Sequence, residues 1–245
     1  MFFTAILLVQ TLATLTVAAP QNKRAVDFVN PTLNGGSMLD DASGGSSSSD
    51  LGEPLNVIIS GLSSPAVLTD DGFLNFAKSI GFSTECLGIH LGGPQSANLG
   101  DGNGYVNQTV ELRQDYGDPN LGTCLESLIG GNHLRVYRQN GPKADTGALF
   151  LAVSQEEDVE EGHTITANGY NIGRNLLSAS AAGSTSFDGV NYSTTAQNLT
   201  GLLAPGAAGV NHGMWAPIKL NLPFISGFPD IATDGITTLL TVTIL

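Results

Sequence analysis

Positive charge is scarce in this chain: 9 Lys and Arg stand against 22 Asp and Glu, a formal net charge of −13. A surface this acidic repels nucleic acid and anionic membranes, which excludes both as partners. Cysteine is nearly absent. Cys86 and Cys124 are the two, enough for one disulfide and too few for a cysteine metal site. No Walker loop and no His-Glu-x-x-His motif occurs, so neither a cofactor nor a metal is expected. Past the first residues no hydrophobic segment is long enough to span a bilayer, and no internal repeat is found.

The front of the chain carries processing signals. Phe2 to Val17 is mostly apolar and uncharged and ends in Ala18 and Ala19, the form of a signal peptide over residues 1–18. The cut is expected after Ala18, because a cut after Ala19 would leave Pro20 behind the scissile bond. A transmembrane anchor is the competing reading, but the stretch is short and broken by Gln10, Thr11, Thr14 and Thr16. The dibasic pair Lys23-Arg24 then closes a pro-segment over 19–24. Removing Met1–Arg24 takes away those two bases and no acid, leaving 7 Lys and Arg against 22 Asp and Glu, or −15. Three sequons, at Asn107, Asn191 and Asn198, agree with an extracellular destination and N-glycosylation. In that oxidising compartment Cys86 and Cys124 are expected to pair, contributing about 4 kcal/mol by the chain-entropy argument. A reactive Cys beside a His is the alternative.

Residues 25–52 are expected to form a flexible arm. Asn34 to Gly52 is rich in Gly, Ser and Asp, holds the run Ser46–Ser49, and cannot bury enough apolar surface to offset its ordering entropy. The folded unit is expected over 53–245, with a core at 53–182 and a loop-rich, glycosylated tail at 183–245. Leu55–Ser60 reads as a buried strand. A helix follows with Thr69 as N-cap, Asp70 and Asp71 at its positive end, and Phe73, Phe76, Ala77 and Ile80 on one face. Cys86–Leu91 reads as a strand. So does Val106–Gln114, where Asn107, Thr109, Glu111 and Arg113 take the solvent side. Thr123–Ile129 is a short helix. His133–Gln139 and Ala148–Ser154 are expected to pair antiparallel across the loop Asn140–Gly147. Asn171 caps a helix from Ile172 to about Ala182. The final run from Ile236 alternates as a strand does, with a lipid-anchor attachment signal as its competitor. The mixture is α+β: a single domain with a mixed or antiparallel sheet and a few short helices after a disordered arm.

Several familiar motifs fail. Gly61-Leu-Ser63-Ser-Pro65 lacks the final Gly of a nucleophile elbow. Asp101-Gly-Asn103-Gly opens like a calcium loop, but Val106 and Leu112 stand where Gly and Glu are required, so it reads as a Gly-rich turn. The acidic run Glu156–Glu161 reads as a solvated loop, with cation binding as the alternative.

One constellation carries candidate chemistry. The period of two puts His133, Arg135 and Tyr137 on one face of their strand. His163 follows the acidic run, and Arg174 lies near the start of the Asn171 helix. A helix N-terminus with a guanidinium nearby suits an anion, and a His adds a proton donor or nucleophile. His133 and His163 are thus the catalytic candidates, and Arg135, Arg174 and Tyr137 the anion-binding ones. The competing readings are a structural polar network, in which Arg174 pairs with a carboxylate, and unconnected surface residues.

Glu53–Gly61 with a helix ending Ile80-Gly-Phe82 resembles the opening of the LssY C-terminal domain. Asn132-His-Leu-Arg-Val-Tyr137 is similar to that family's His-Leu-Arg-aromatic strand. Leu149–Ser154, His163-Thr-Ile and Asn171-Ile-Gly-Arg174-Asn175 resemble its later blocks. The likeness spans Glu53 to Ala182, and secreted proteins of filamentous fungi look similar over most of the chain. Asn171 and Asn175 depart from it, standing where the family tends to have acids. The resemblance brings no activity with it; the domain's bacterial neighbours, phosphatase-like membrane modules, imply phosphorylated or lipid ligands by analogy. The expectation is a secreted binding or structural glycoprotein with an anion site, its partner an anionic small molecule or cell-wall component. A phosphoester hydrolase using His133 or His163 with Arg135 and Arg174 is the first alternative, and a cell-wall or cell-surface structural protein the second.

Overall fold

The computed structural model describes residues 26–42, 52–89, 93–207, 209 and 231–245. The expected signal peptide, the expected processing residues Ala18, Lys23 and Arg24, and the serine run lie outside them. In chain order the elements are β1 (Val57–Ile59), α1 (Asp70–Ser79), β2 (Phe82–Thr84), β3 (Ser96–Asn98), β4 (Tyr105–Asn107), β5 (Val110–Gln114), α2 (Gly122–Ile129), β6 (Gly131–Gly141), β7 (Ala144–Glu156), α3 (Gly169–Ala181), β8 (Gly183–Phe187), β9 (Val190–Leu199) and β10 (Thr237–Ile244). Eight strands form one sheet in the order β2-β5-β6-β7-β1-β10-β9-β8, and β3 pairs with β4 in a separate ribbon. β1 runs parallel to β10 and antiparallel to β7, so the sheet is mixed and the domain α+β.

Alternation along the strands divides the interior in two. On one face Ile59, Leu112, Leu134, Val136, Leu151 and Val153 pack beneath Phe73 and Phe76 of α1 and Leu177 of α3. Thr69 caps α1 by accepting from the Gly72 amide at 3.1 Å, as its sequence predicts. On the other face Ile58, Tyr137, Phe150 and Leu239 pack against Met38, Leu55 and Leu99. Burying both faces of the central strands explains why β1 is apolar at every position.

The described part of the expected arm, residues 26–42, differs from the expectation. Phe28 meets Phe150 edge to face, Met38 is buried, and Leu39 bridges to Pro54. A few apolar anchors and backbone bridges to partners distant in sequence tie down a segment whose composition alone argues against order.

The tail differs as well. Residues 183–199 form the β8–β9 hairpin across Asp188-Gly189, both at positive φ (48° and 76°). That dipeptide between polar, β-branched runs is a hairpin signal, and the Gly/Ser/Thr/Asn composition masked it. The C-terminal run is indeed a strand. It sits between β1 and β9, and its amides at Val242 and Ile244 are capped by the hydroxyls of Ser63 and Ser64. The serines of the failed elbow therefore hold β10 in place.

Three further boundaries move. The strand expected over Val106–Gln114 breaks at Gln108-Thr109, so that β4 pairs with β3 and β5 with β6. The expected loop Asn140–Gly147 shrinks to the turn Pro142-Lys143, because β6 and β7 continue pairing to Gly141 and Ala144. Cys86–Gly88 is a 3-10 turn rather than a strand, and Cys86 is disulfide-bonded to Cys124 of α2.

Candidate functional site

Register decides what the polar face of the sheet can do. Arg113 lies opposite His133 and Glu111 opposite Arg135, so both strands direct charge to the same side. That side is not solvent. Glu111 is 7% exposed, His133 0% and Arg135 8%, and Asp40, Glu53 and Glu126 of α2 reach residues of the same face. Arg113 and Glu111, expected on the solvent side of their strand, belong instead to a buried network.

The network is dense in carboxylates. His133 Nε2 lies 2.8 Å from Glu111 Oε1, and its Nδ1 lies 3.4 Å from Glu156 Oε1. Arg135 donates to Glu53 Oε2 at 3.1 Å and reaches Glu111 Oε2 at 3.3 Å. Arg113 donates to Glu126 Oε2 at 3.1 Å, Glu156 Oε2 at 3.3 Å and Glu111 Oε1 at 3.3 Å. Its Nε also faces Glu85 at 3.8 Å. Tyr137 donates to Asp40 Oδ2 at 2.7 Å, so its hydroxyl serves a carboxyl rather than an anionic ligand. His163 joins at the margin, 3.8 Å from Glu156 Oε2, with a side chain 19% exposed.

These neighbours set opposite proton affinities. Burial would raise Glu111, but the His133 ring and the guanidinium groups of Arg135 and Arg113 outweigh it and hold the carboxyl far below its usual range. Burial, with Glu156 and Glu111 nearby, pushes Glu126 up to about 7 against the pull of Arg113. Asp40, buried and facing Glu53, is raised to about 8 although it accepts from Tyr137 and from the Glu53 amide.

Arg174 stands apart. Helix α3 begins at Gly169, with Asn168 at its N-cap, so Asn171 lies inside the helix and Arg174 in its second turn. Through Leu177 and Ala181 the helix packs on the α1 side of the sheet, opposite the network. The buried Arg174 guanidinium forks onto Asp234, at 2.6 Å and 2.8 Å, and also donates to the Ile236 carbonyl and to Asn175 Oδ1. Asp234 is held below the usual carboxylate range chiefly by that hydrogen bond. The expected set of His133, His163, Arg135 and Arg174 therefore divides. Three share one carboxylate-rich network, while Arg174 pairs with a carboxylate on the other face.

The acidic run is divided as well. Glu156 points into the network, and Asp158 accepts from the amides of Glu160 and Glu161 in a turn. Asp101, buried, accepts from the amides of Asn103, Asn140 and Gly141, which makes it the pin of a turn. Among the described residues no group of three or more His, Cys, Asp or Glu is arranged to hold a metal, and no helix is long and apolar enough to cross a membrane. A groove of ≈ 300 Å³ opens where β5 and β6 meet α3, lined by residues that include Asp115, Tyr116, Asn132 and Ser180. A second, of ≈ 140 Å³, lies between α1 and β6 beside Asp70 and Arg138. None of the four candidate residues lines either. Asn107, Asn191 and Asn198 are all exposed.

Compared with known protein families, curated proteins and solved structures, the chain matches none.

Proposed function

We propose that this protein is a secreted, N-glycosylated binding or structural module, in which the conspicuous His and Arg residues belong to the scaffold. The observation that carries this reading is the burial of His133 between Glu111 and Glu156. A nucleophile or proton donor must reach its substrate, and an anion must meet uncompensated positive charge. Here each guanidinium of the network faces carboxylates, and Arg174 is forked on Asp234. Exposure of the three sequon asparagines supports glycosylation, and the disulfide suits an oxidising compartment.

A relation to the LssY C-terminal domain belongs to the same proposal. Its support is the resemblance of the sequence blocks at Glu53–Gly61, Asn132–Tyr137, Leu149–Ser154 and Asn171–Asn175. Asn171 and Asn175, where that family tends to have acids, both accept from Arg174, whose charge is balanced by Asp234 instead.

A secreted phosphoester hydrolase is the second reading, and the partly exposed His163 beside Glu156 is what favours it. Purified mature protein assayed on a phosphomonoester and a phosphodiester is expected to show no turnover above the blank, with His163→Gln and His133→Gln indistinguishable from it. Turnover that either substitution abolishes would overturn the scaffold reading.

A further inference from the structure

Helix α2 is inverted relative to a helix that serves only its own sheet. Its buried positions are Gly122, Thr123 and Glu126. Leu121 at its N-cap, with Leu125, Leu128 and Ile129, faces outward at 59%, 43%, 60% and 56% exposure. The disulfide brings the 3-10 turn alongside, where Leu87 and Ile89 are 74% and 57% exposed. Leu87 sits at φ 52°, a left-handed conformation uncommon for a branched apolar residue, which persists only where the surroundings impose it. For side chains of ordinary size these fractions amount to roughly 600 Å² of apolar surface, the upper end of what a monomer leaves exposed.

We propose that this face is a homodimer interface, occupied by a second copy of the chain. The spacing of the apolar positions argues for self-association. Relative to Leu125 they stand at −4, +3 and +4, a pattern that reads nearly the same in both directions. A two-fold axis at Leu125 with the helices antiparallel sets Leu121 of one copy against Leu128 and Ile129 of the other, as an isologous contact requires. The apolar area alone is about three quarters of the roughly 800 Å² that each partner gives to a standard interface. Two of the sequons, Asn191 and Asn198, lie on β9 toward the opposite end of the sheet, so glycans there leave this face bare. Each copy is strongly acidic, so association strengthens as salt screens the repulsion.

Sedimentation velocity of the mature glycosylated protein, from about 1 to about 100 μM at low and high salt, tests this. A monomer–dimer equilibrium that shifts toward dimer with salt is expected. Leu125→Glu is expected to be monomeric throughout with little change in melting temperature, since the side chain is largely exposed and belongs to none of the buried clusters. A wild type that stays monomeric over the whole range, or a dimer that persists in Leu125→Glu, overturns the proposal. A monomer that uses this face to bind a different extracellular protein overturns it as well.

Discussion

Arg113→Ala is expected to be the most damaging single substitution in the network, lowering unfolding free energy by about 3–5 kcal/mol. Arg113 serves Glu126, Glu156 and Glu111 within 3.3 Å, and two of these are almost fully buried. Removing the guanidinium leaves three carboxyl groups facing one another, and charge on any of them is then poorly solvated. The loss is in stability, read as the urea midpoint, and its size follows from what is stranded rather than from the worth of one ion pair. Adding Glu126→Gln to Arg113→Ala is expected to recover part of the loss, because one stranded acid becomes neutral. Should Arg113→Ala unfold within about 1 kcal/mol of wild type, as exposed ion pairs do, the network is not structural.

The second large effect is on pH. Glu126 and Asp40 hold protons in the fold, up to about 7 and about 8, that the unfolded chain releases near its ordinary carboxylate values. Between those limits the folded state binds more protons than the unfolded one, so stability falls as pH rises from the ordinary carboxylate range to about 7 and about 8 and levels off above. Glu111 works in the opposite sense: its carboxyl is held low, so its contribution is present above the ordinary carboxylate range and lost in acid. The optimum therefore lies close to the ordinary carboxylate values, at about pH 4–5, with a decline on the order of a few kcal/mol by about pH 8 and a plateau above it. Thermal unfolding across pH 4–9 reads this directly, and Glu126→Gln is expected to flatten the slope between about pH 5 and about pH 7. A melting temperature that rises from about pH 5 to about pH 8 would remove the assignment of Glu126 and Asp40 as protonated.

Local signals were legible where the chain decides locally. The Thr69 cap, the apolar run of β1, the alternation of β6 and the pairing of β6 with β7 could all be read from spacing. The shared face of His133, Arg135 and Tyr137 was legible too. What covers that face was not, because burial of a strand's polar side is decided by segments distant in sequence. Asp40 and Glu53 flank the Ser-rich stretch, and nothing local marks them as partners of Tyr137 and Arg135. Glu126 faces inward from a helix whose leucines face outward, the reverse of the pattern that sequence reading assumes. Arg174 and Asp234, 60 residues apart, meet only once β10 has taken its place beside β1. The Asp188-Gly189 turn was in plain view and was outweighed by composition.

In the proposed scaffold the buried His and Arg residues are neutralised by the fold's own carboxylates and leave no anion site. Thermal unfolding of the mature protein in about 10 mM phosphate, against chloride at matched ionic strength, tests it most directly, since any ligand that binds only the folded state raises the transition. The same melting temperature is expected in both salts. A rise of several degrees in phosphate that disappears in Arg135→Met would contradict it.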